Sequence, residues 1–184
     1  SGVMFTADPT SGALDRMIIE SVFGQGEAIV SGRVEPDTYI LDKAGPHLIS
    51  VRQGRQRFKI VRGSDGADTE QPLDDSESDR RTITQDEILA VAALGIRAER
   101  HYGAPQDLEW ARAAGDTYLV QSRPITTLSA QVTSEPHPAA STTPTLLLSG
   151  LAASVGRGSG RVRILTSPDQ QTEFLDGEVL VAEM

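Results

Sequence analysis

Short runs in which apolar and polar residues alternate dominate the first third of the chain, and each predicts a strand. GVMFT at residues 2–6, RMIIESVFG from Arg16 and the stretch Asp37–Leu41 after Pro36 all fit a period of two. Between them DPTSG, Asp8–Gly12, predicts a turn. HLISVRQGRQRFKIVRG at residues 47–63 predicts a β-hairpin turning at QGR, with basic residues alternating with apolar ones. Residues 64–81 have no period and are rich in acids, which predicts a solvated loop.

The period then changes. Thr84 and Glu87 stand at capping-box spacing, and Ile83 with Ile88 at that of a hydrophobic staple. Ile88, Val91, Ala92, Gly95 and Tyr102 trace one face of the helix that follows, with Gly103 and Pro105 as its stop signals. DLEWARAAGDTYLVQSRP, Asp107–Pro124, predicts two strands around a Gly-Asp turn. With a three-residue loop of Ala114, Gly115 and Asp116, Glu109 faces Gln121 and Asp107 faces Arg123, while Trp110 meets Val120 and Arg112 meets Tyr118. One face thereby collects Asp107, Glu109, Gln121 and Arg123; the other collects Leu108, Trp110, Tyr118 and Val120 as an anchor. Residues 129–147 are rich in Pro, Ser, Thr and Ala and predict a linker. From 148 to Met184 a Gly-rich turn and two strands, RVRIL and EVLVA, predict the start of another domain. The fold class expected is α+β.

Composition narrows the chemistry. A net charge of −9 argues against nucleic acid, since phosphate backbones demand a basic surface. There is no Cys, so disulfides and thiolate metal sites are excluded. The three His are His47 and His137 in Pro-flanked contexts and His101 near a helix end, which makes neither a zinc site nor a catalytic triad. The longest apolar run, Ile88–Ile96, is too short to span a bilayer. FGQGEAIVSG lacks G-x-G-x-x-G spacing, GRGSGR precedes a strand, and no P-loop or G-x-S-x-G motif occurs. The hairpin's polar face is chemically distinctive. A carboxylate opposite an amide oxygen suits Mg²⁺ shared with phosphate oxygens, and an Arg fork suits phosphate. The same face also reads as solvated strand surface carrying an Asp107–Arg123 ion pair.

Taken in order, SGVMFTADPTSG, ESVFGQGEAIVSGRVEPDTYIL, HYGAPQDLEWA and YLVQSRPITT resemble the second half of the ATP-grasp, PEP/pyruvate-binding domain. That domain is shared by the family of phosphoenolpyruvate synthase, pyruvate phosphate dikinase and rifampicin phosphotransferase. The resemblance covers residues 1–128, and residues 148–184 resemble the opening of the family's swivelling phosphohistidine domain. It implies ATP as substrate, Mg²⁺ as cofactor, and pyruvate or another small-molecule acceptor. ATP, pyruvate and water would yield AMP, phosphoenolpyruvate and phosphate through a phosphohistidine. The family's T-S-H segment, which carries that histidine, is expected beyond Met184, so no catalytic residue is expected within this chain. The resemblance places Glu109 and Gln121 at metal and nucleotide positions, Asp107 and Arg123 at ATP-contacting ones, and Glu20 on the nucleotide side. A rifampicin-phosphotransferase-like enzyme and a non-catalytic nucleotide-binding module are the alternatives. The chain is expected to be a fragment, inactive and poorly soluble alone, from a soluble cytoplasmic enzyme for which a homodimer is one expected state.

Overall fold

A computed structural model of the chain describes residues 1–126 and 158–182, which fall into two separate compact units. In the first, the elements run β1 (Gly2–Phe5), β2 (Arg16–Ser21), α1 (Glu27–Val30), β3 (Asp37–Asp42), β4 (His47–Arg52), β5 (Phe58–Arg62), β6 (Asp68–Pro72), α2 (Asp75–Ser78), α3 (Gln85–Tyr102), β7 (Gln106–Ala113) and β8 (Asp116–Pro124). Six strands form one antiparallel sheet in the order β4-β3-β2-β1-β7-β8, and β5 with β6 forms a separate ribbon. The α+β class expected from the sequence is the one observed.

Alternation along the strands explains the core. Met4, Met17, Ile19, Tyr39, Leu41, Leu108 and Trp110 all turn to one face and pack with Ile88, Val91, Ala92 and Ala98 of α3. The helix is set as its signals predict. The Glu87 amide donates to Thr84 Oγ1 at 3.4 Å, the Thr84 amide donates to Glu87 Oε2 at 2.7 Å, and Gly103 at φ 69° ends the helix. Tyr102 departs from the expected face. It is 58% exposed, and Ala98 takes its place in the core because the last turn runs past the sheet.

Two predicted segments fold differently. Residues 47–63 form no hairpin of their own: β4 pairs with β3, and β5 pairs with β6. Between them Gly54 crosses against the backbone of the segment before β3, where a Cβ would lie 2.1 Å from the Glu35 carbonyl oxygen. Gln56 is buried there, accepting from the Phe23 amide at 3.0 Å and donating to the Ser21 carbonyl at 3.3 Å. The acidic run 64–81, expected as loop, supplies β6 and α2. Its acids find basic partners: Arg62 with Asp68, Arg33 with Glu70 and Lys59 with Glu77. Charge pairing across a ribbon substitutes here for apolar alternation.

The hairpin of β7 and β8 is also corrected in detail. Its loop has two residues, Ala114 and Gly115, both at positive φ (53° and 90°), as a type I′ turn requires. Trp110 therefore faces Leu119 and Arg112 faces Thr117. A register shift then leaves Val120 as an extra residue and restores the pairing of Glu109 with Gln121. Leu108 and Trp110 are buried as expected, but Tyr118, 53% exposed, pairs with Ala111 and so turns to the face of Glu109, and Val120, the extra residue, is 65% exposed.

In the second unit, β9 (Arg161–Leu165) and β10 (Glu178–Ala182) pair in parallel, with a 3₁₀ turn, Pro168–Glu173, in the connection. Arg163 donates to both Glu178 oxygens, at 2.9 and 2.7 Å. That hydrogen bonding holds the Glu178 carboxyl down at about 2. The linker expected over 129–147 lies outside the described residues, and so does Met184, beyond which the phosphorylated histidine is expected. Among the described residues, no helix is long and apolar enough to cross a membrane.

Candidate functional site

Because α3 occupies one face of the six-stranded sheet, the alternate residues of each strand point to the other. Register aligns Arg52, Thr38, Glu20, Val3, Glu109 and Gln121 in one row across all six strands. The adjacent row is Ser50, Ile40, Ile18, Phe5, Asp107 and Arg123. All five residues singled out in the sequence thus share one face and two neighbouring rows. Glu20 belongs with the hairpin residues although 87 to 103 positions separate them in the chain. It stands two strands from Glu109, about 10 Å at the usual interstrand spacing. Half-buried Val3, Phe5, Ile18 and Ile40 form an apolar strip between the polar ends.

The polar groups differ in how firmly they are held. Arg123 Nε donates to Asp107 Oδ2 at 2.8 Å, and among the described residues this single contact leaves both Nη groups for a ligand. With Arg123 66% exposed, the pair contributes about 0–1 kcal/mol to stability. The side chains of Glu109 and Gln121 make no hydrogen bond or ion pair among the described residues. Glu20 is half-buried, and burial raises its carboxyl above the ordinary range, against the pull of the Arg52 guanidinium. Arg52 is itself anchored, donating to Glu35 and, at 3.3 Å, to Thr38 Oγ1.

No cluster of three or more His, Asp or Glu side chains able to hold a metal occurs among the described residues. A cation held between Glu109 and Gln121 would have two protein oxygens and would need the rest from water and phosphate. That set fits Mg²⁺, which keeps several waters and binds through one or two carboxylates plus substrate phosphates. It does not fit a caged structural metal. Arg52 and Thr38 were missed in the sequence because β4 was assigned to the wrong hairpin; pairing HLISVR with DTYILD puts both on the row. A groove of about 500 Å³ lined by Leu94, Arg97, His101, Tyr102 and Leu119 lies on the helix side of the sheet, opposite the row. His101 there makes an edge contact with Tyr102.

An antiparallel sheet backed by one capped helix defines an α+β domain, and the carboxylate, amide and guanidinium groups on its free face are of the kind that suit Mg²⁺ and phosphate oxygens. The chain belongs to the family described as pyruvate phosphate dikinase, AMP/ATP-binding domain, which matches residues 1–143. It is 41% identical over 185 residues to a probable phosphoenolpyruvate synthase of Archaeoglobus fulgidus, covering all of this chain and 24% of that protein. The corresponding Methanothermobacter thermautotrophicus protein is 40% identical over 184 residues, again the whole of this chain and 26% of the relative. A rifampicin phosphotransferase of Bacillus subtilis is 38% identical over 128 residues, 70% of this chain and 14% of that protein. The chain spans about a quarter of the length of these two synthases.

Proposed function

We propose that this chain is the ATP-binding part of a phosphoenolpyruvate synthase. The complete enzyme converts ATP, pyruvate and water to AMP, phosphoenolpyruvate and phosphate through a phosphohistidine that lies beyond Met184. The observation that carries this reading is the extent of the likeness. Synthases match the chain from end to end, whereas the rifampicin phosphotransferase matches 128 residues. Residues 1–128 are then the second half of an ATP-grasp domain, 129–147 a linker, and 148–184 the opening of a swivelling domain. The parallel β9–β10 pair is compatible with that last assignment. The enzyme is cytoplasmic.

On the sheet face, Glu109 and Gln121 would hold Mg²⁺, which when bound would neutralise phosphate charge. Asp107 fixes Arg123 by its Nε, so the Nη groups meet phosphate oxygens in a set orientation. Val3, Phe5, Ile18 and Ile40 exclude water beneath the ligand, and Glu20 accepts hydrogen bonds from the nucleoside end. Phosphoryl transfer needs this positioning and charge neutralisation from the protein more than covalent chemistry.

The full-length protein, supplied with Mg·ATP, should release AMP in proportion to added pyruvate. AMP release that follows a rifamycin and ignores pyruvate would replace the synthase with the antibiotic-modifying enzyme. Nucleotide binding without turnover on either acceptor would leave a non-catalytic binding module.

A further inference from the structure

The nucleotide reading gives a role to a residue that neither the hairpin nor the family match singles out. Arg52 closes the row at the β4 edge of the sheet, next to Thr38 and one strand beyond it from Glu20. Its planar fork has two anchors on that face, the Glu35 carboxylate and the Thr38 hydroxyl. Two anchors fix a guanidinium far better than a single surface contact does. The groups that flank Glu20 in the row, Thr38 on β3 and Val3 on β1, carry no charge. The next charges along it are Arg52 on β4 and Glu109 on β7.

We propose that Arg52 is a positioning residue for the nucleotide: held by Glu35 and Thr38 at the β4 end of the row, it sets the positive charge on Glu20's side of the face, where the Glu20 carboxylate accepts hydrogen bonds from the hydroxyls of the nucleoside. Inorganic phosphates would engage Glu109, Gln121 and Arg123 and would not reach Glu20, two strands away. Nucleoside polyphosphates span both ends. The electrostatics agree, since burial favours the neutral acid at Glu20 and Arg52 is the charge that opposes it.

This inference rests on the nucleotide reading, and the test separates the two. The affinity of the full-length protein for Mg·ATP and for Mg·tripolyphosphate is measured from pH 5 to pH 8 in wild type, Arg52→Met, Arg52→Lys, Glu20→Gln and Glu109→Ala. Removing the cation lets Glu20 take up its proton at higher pH, so the fall of ATP affinity on the acid side moves upward. In Arg52→Met, ATP affinity should fall about tenfold at the acid end and under about twofold at pH 8. Arg52→Lys keeps the charge and should keep the profile within about twofold. Tripolyphosphate affinity should not change in Arg52→Met or Glu20→Gln, and adding Arg52→Met to Glu20→Gln should cost nothing further. An ATP affinity lowered equally at every pH, a matching loss for tripolyphosphate, or full additivity with Glu20→Gln each overturns the proposal. If Arg52→Met fails to fold, Arg52→Gln, which also removes the charge, is judged by the same criteria. Glu109→Ala must weaken both ligands. Unchanged binding there removes the nucleotide reading and the Arg52 proposal together, whereas failure of Arg52→Met alone removes only the latter.

Discussion

Glu109 and Gln121 face each other across β7 and β8, and among the described residues no other side chain engages either. Groups so free contribute little to the fold, and truncating them should alter stability by no more than about 0.5 kcal/mol. Their cost should fall on the ligand. Glu109→Ala and Gln121→Ala are expected to weaken Mg·ATP binding about tenfold or more, read by calorimetric titration, with the circular dichroism spectrum unchanged. Unchanged affinity in both would sink the metal assignment. The pairing of these two residues was legible in the sequence, because antiparallel partners keep a constant sum of residue numbers. The pairing of Trp110 was not. A two-residue loop and the extra residue at Val120 displace the register in opposite senses, so the two errors cancel at Glu109 and remain at Trp110. Nothing in the local sequence marks the bulge.

Among the elements, α3 was read almost to the residue, since its signals are local: cap, staple, apolar face and stop. The Glu87 carboxyl is depressed first by the hydrogen bond it accepts from the Thr84 amide. Arg112 adds an ion pair at 3.0 Å. With its native value below the unfolded one, Glu87 stabilises the helix fully above the ordinary carboxylate range and loses that effect as pH falls through the depressed value. Thr84→Ala removes the hydroxyl that accepts from the Glu87 amide and should cost about 1 kcal/mol. Hydrogen exchange in the first turn of α3 at neutral pH should then quicken about fivefold, with the sheet unaffected. Equal exchange in variant and wild type would show that packing of Ile83 and Ile88, not the cap, holds that end. The strands β4 to β6 were misread for the opposite reason. Their partners lie outside the window that local alternation inspects: β4 is claimed by β3, and the acidic β6 is admitted by cations on β5 and at Arg33.

Across the whole molecule, the free face depends on a buried polar knot on the other one. Asp37 is 1% exposed and accepts from the Tyr39 hydroxyl at 3.0 Å, the Gly54 amide at 2.9 Å, and the Thr82 amide and hydroxyl at 2.8 and 2.9 Å. It thereby ties the start of β3 to the chain leaving β4 and to the approach to α3. Thr38 follows Asp37 by one residue, and Arg52 precedes Gly54 by two, so the knot also clamps both strands that carry the β4 end of the row. Asp37→Ala takes the acceptor from four donors, of which the Thr82 hydroxyl retains Ser21 Oγ as a partner, and each donor left buried without a substitute costs about 1–3 kcal/mol. Even with partial rescue by water, a loss of ~3 kcal/mol or more is expected, equivalent to roughly a hundredfold faster hydrogen exchange in β3 and β4. Asp107→Asn, which removes a carboxylate from the same sheet but only an exposed ion pair, should alter exchange there by less than about fivefold. If the two variants exchange alike, the knot is not what holds the sheet. In that case the register placing Arg52, Glu20 and Glu109 in one row must be secured by the apolar packing of Tyr39, Ile19 and Met4 against α3 alone.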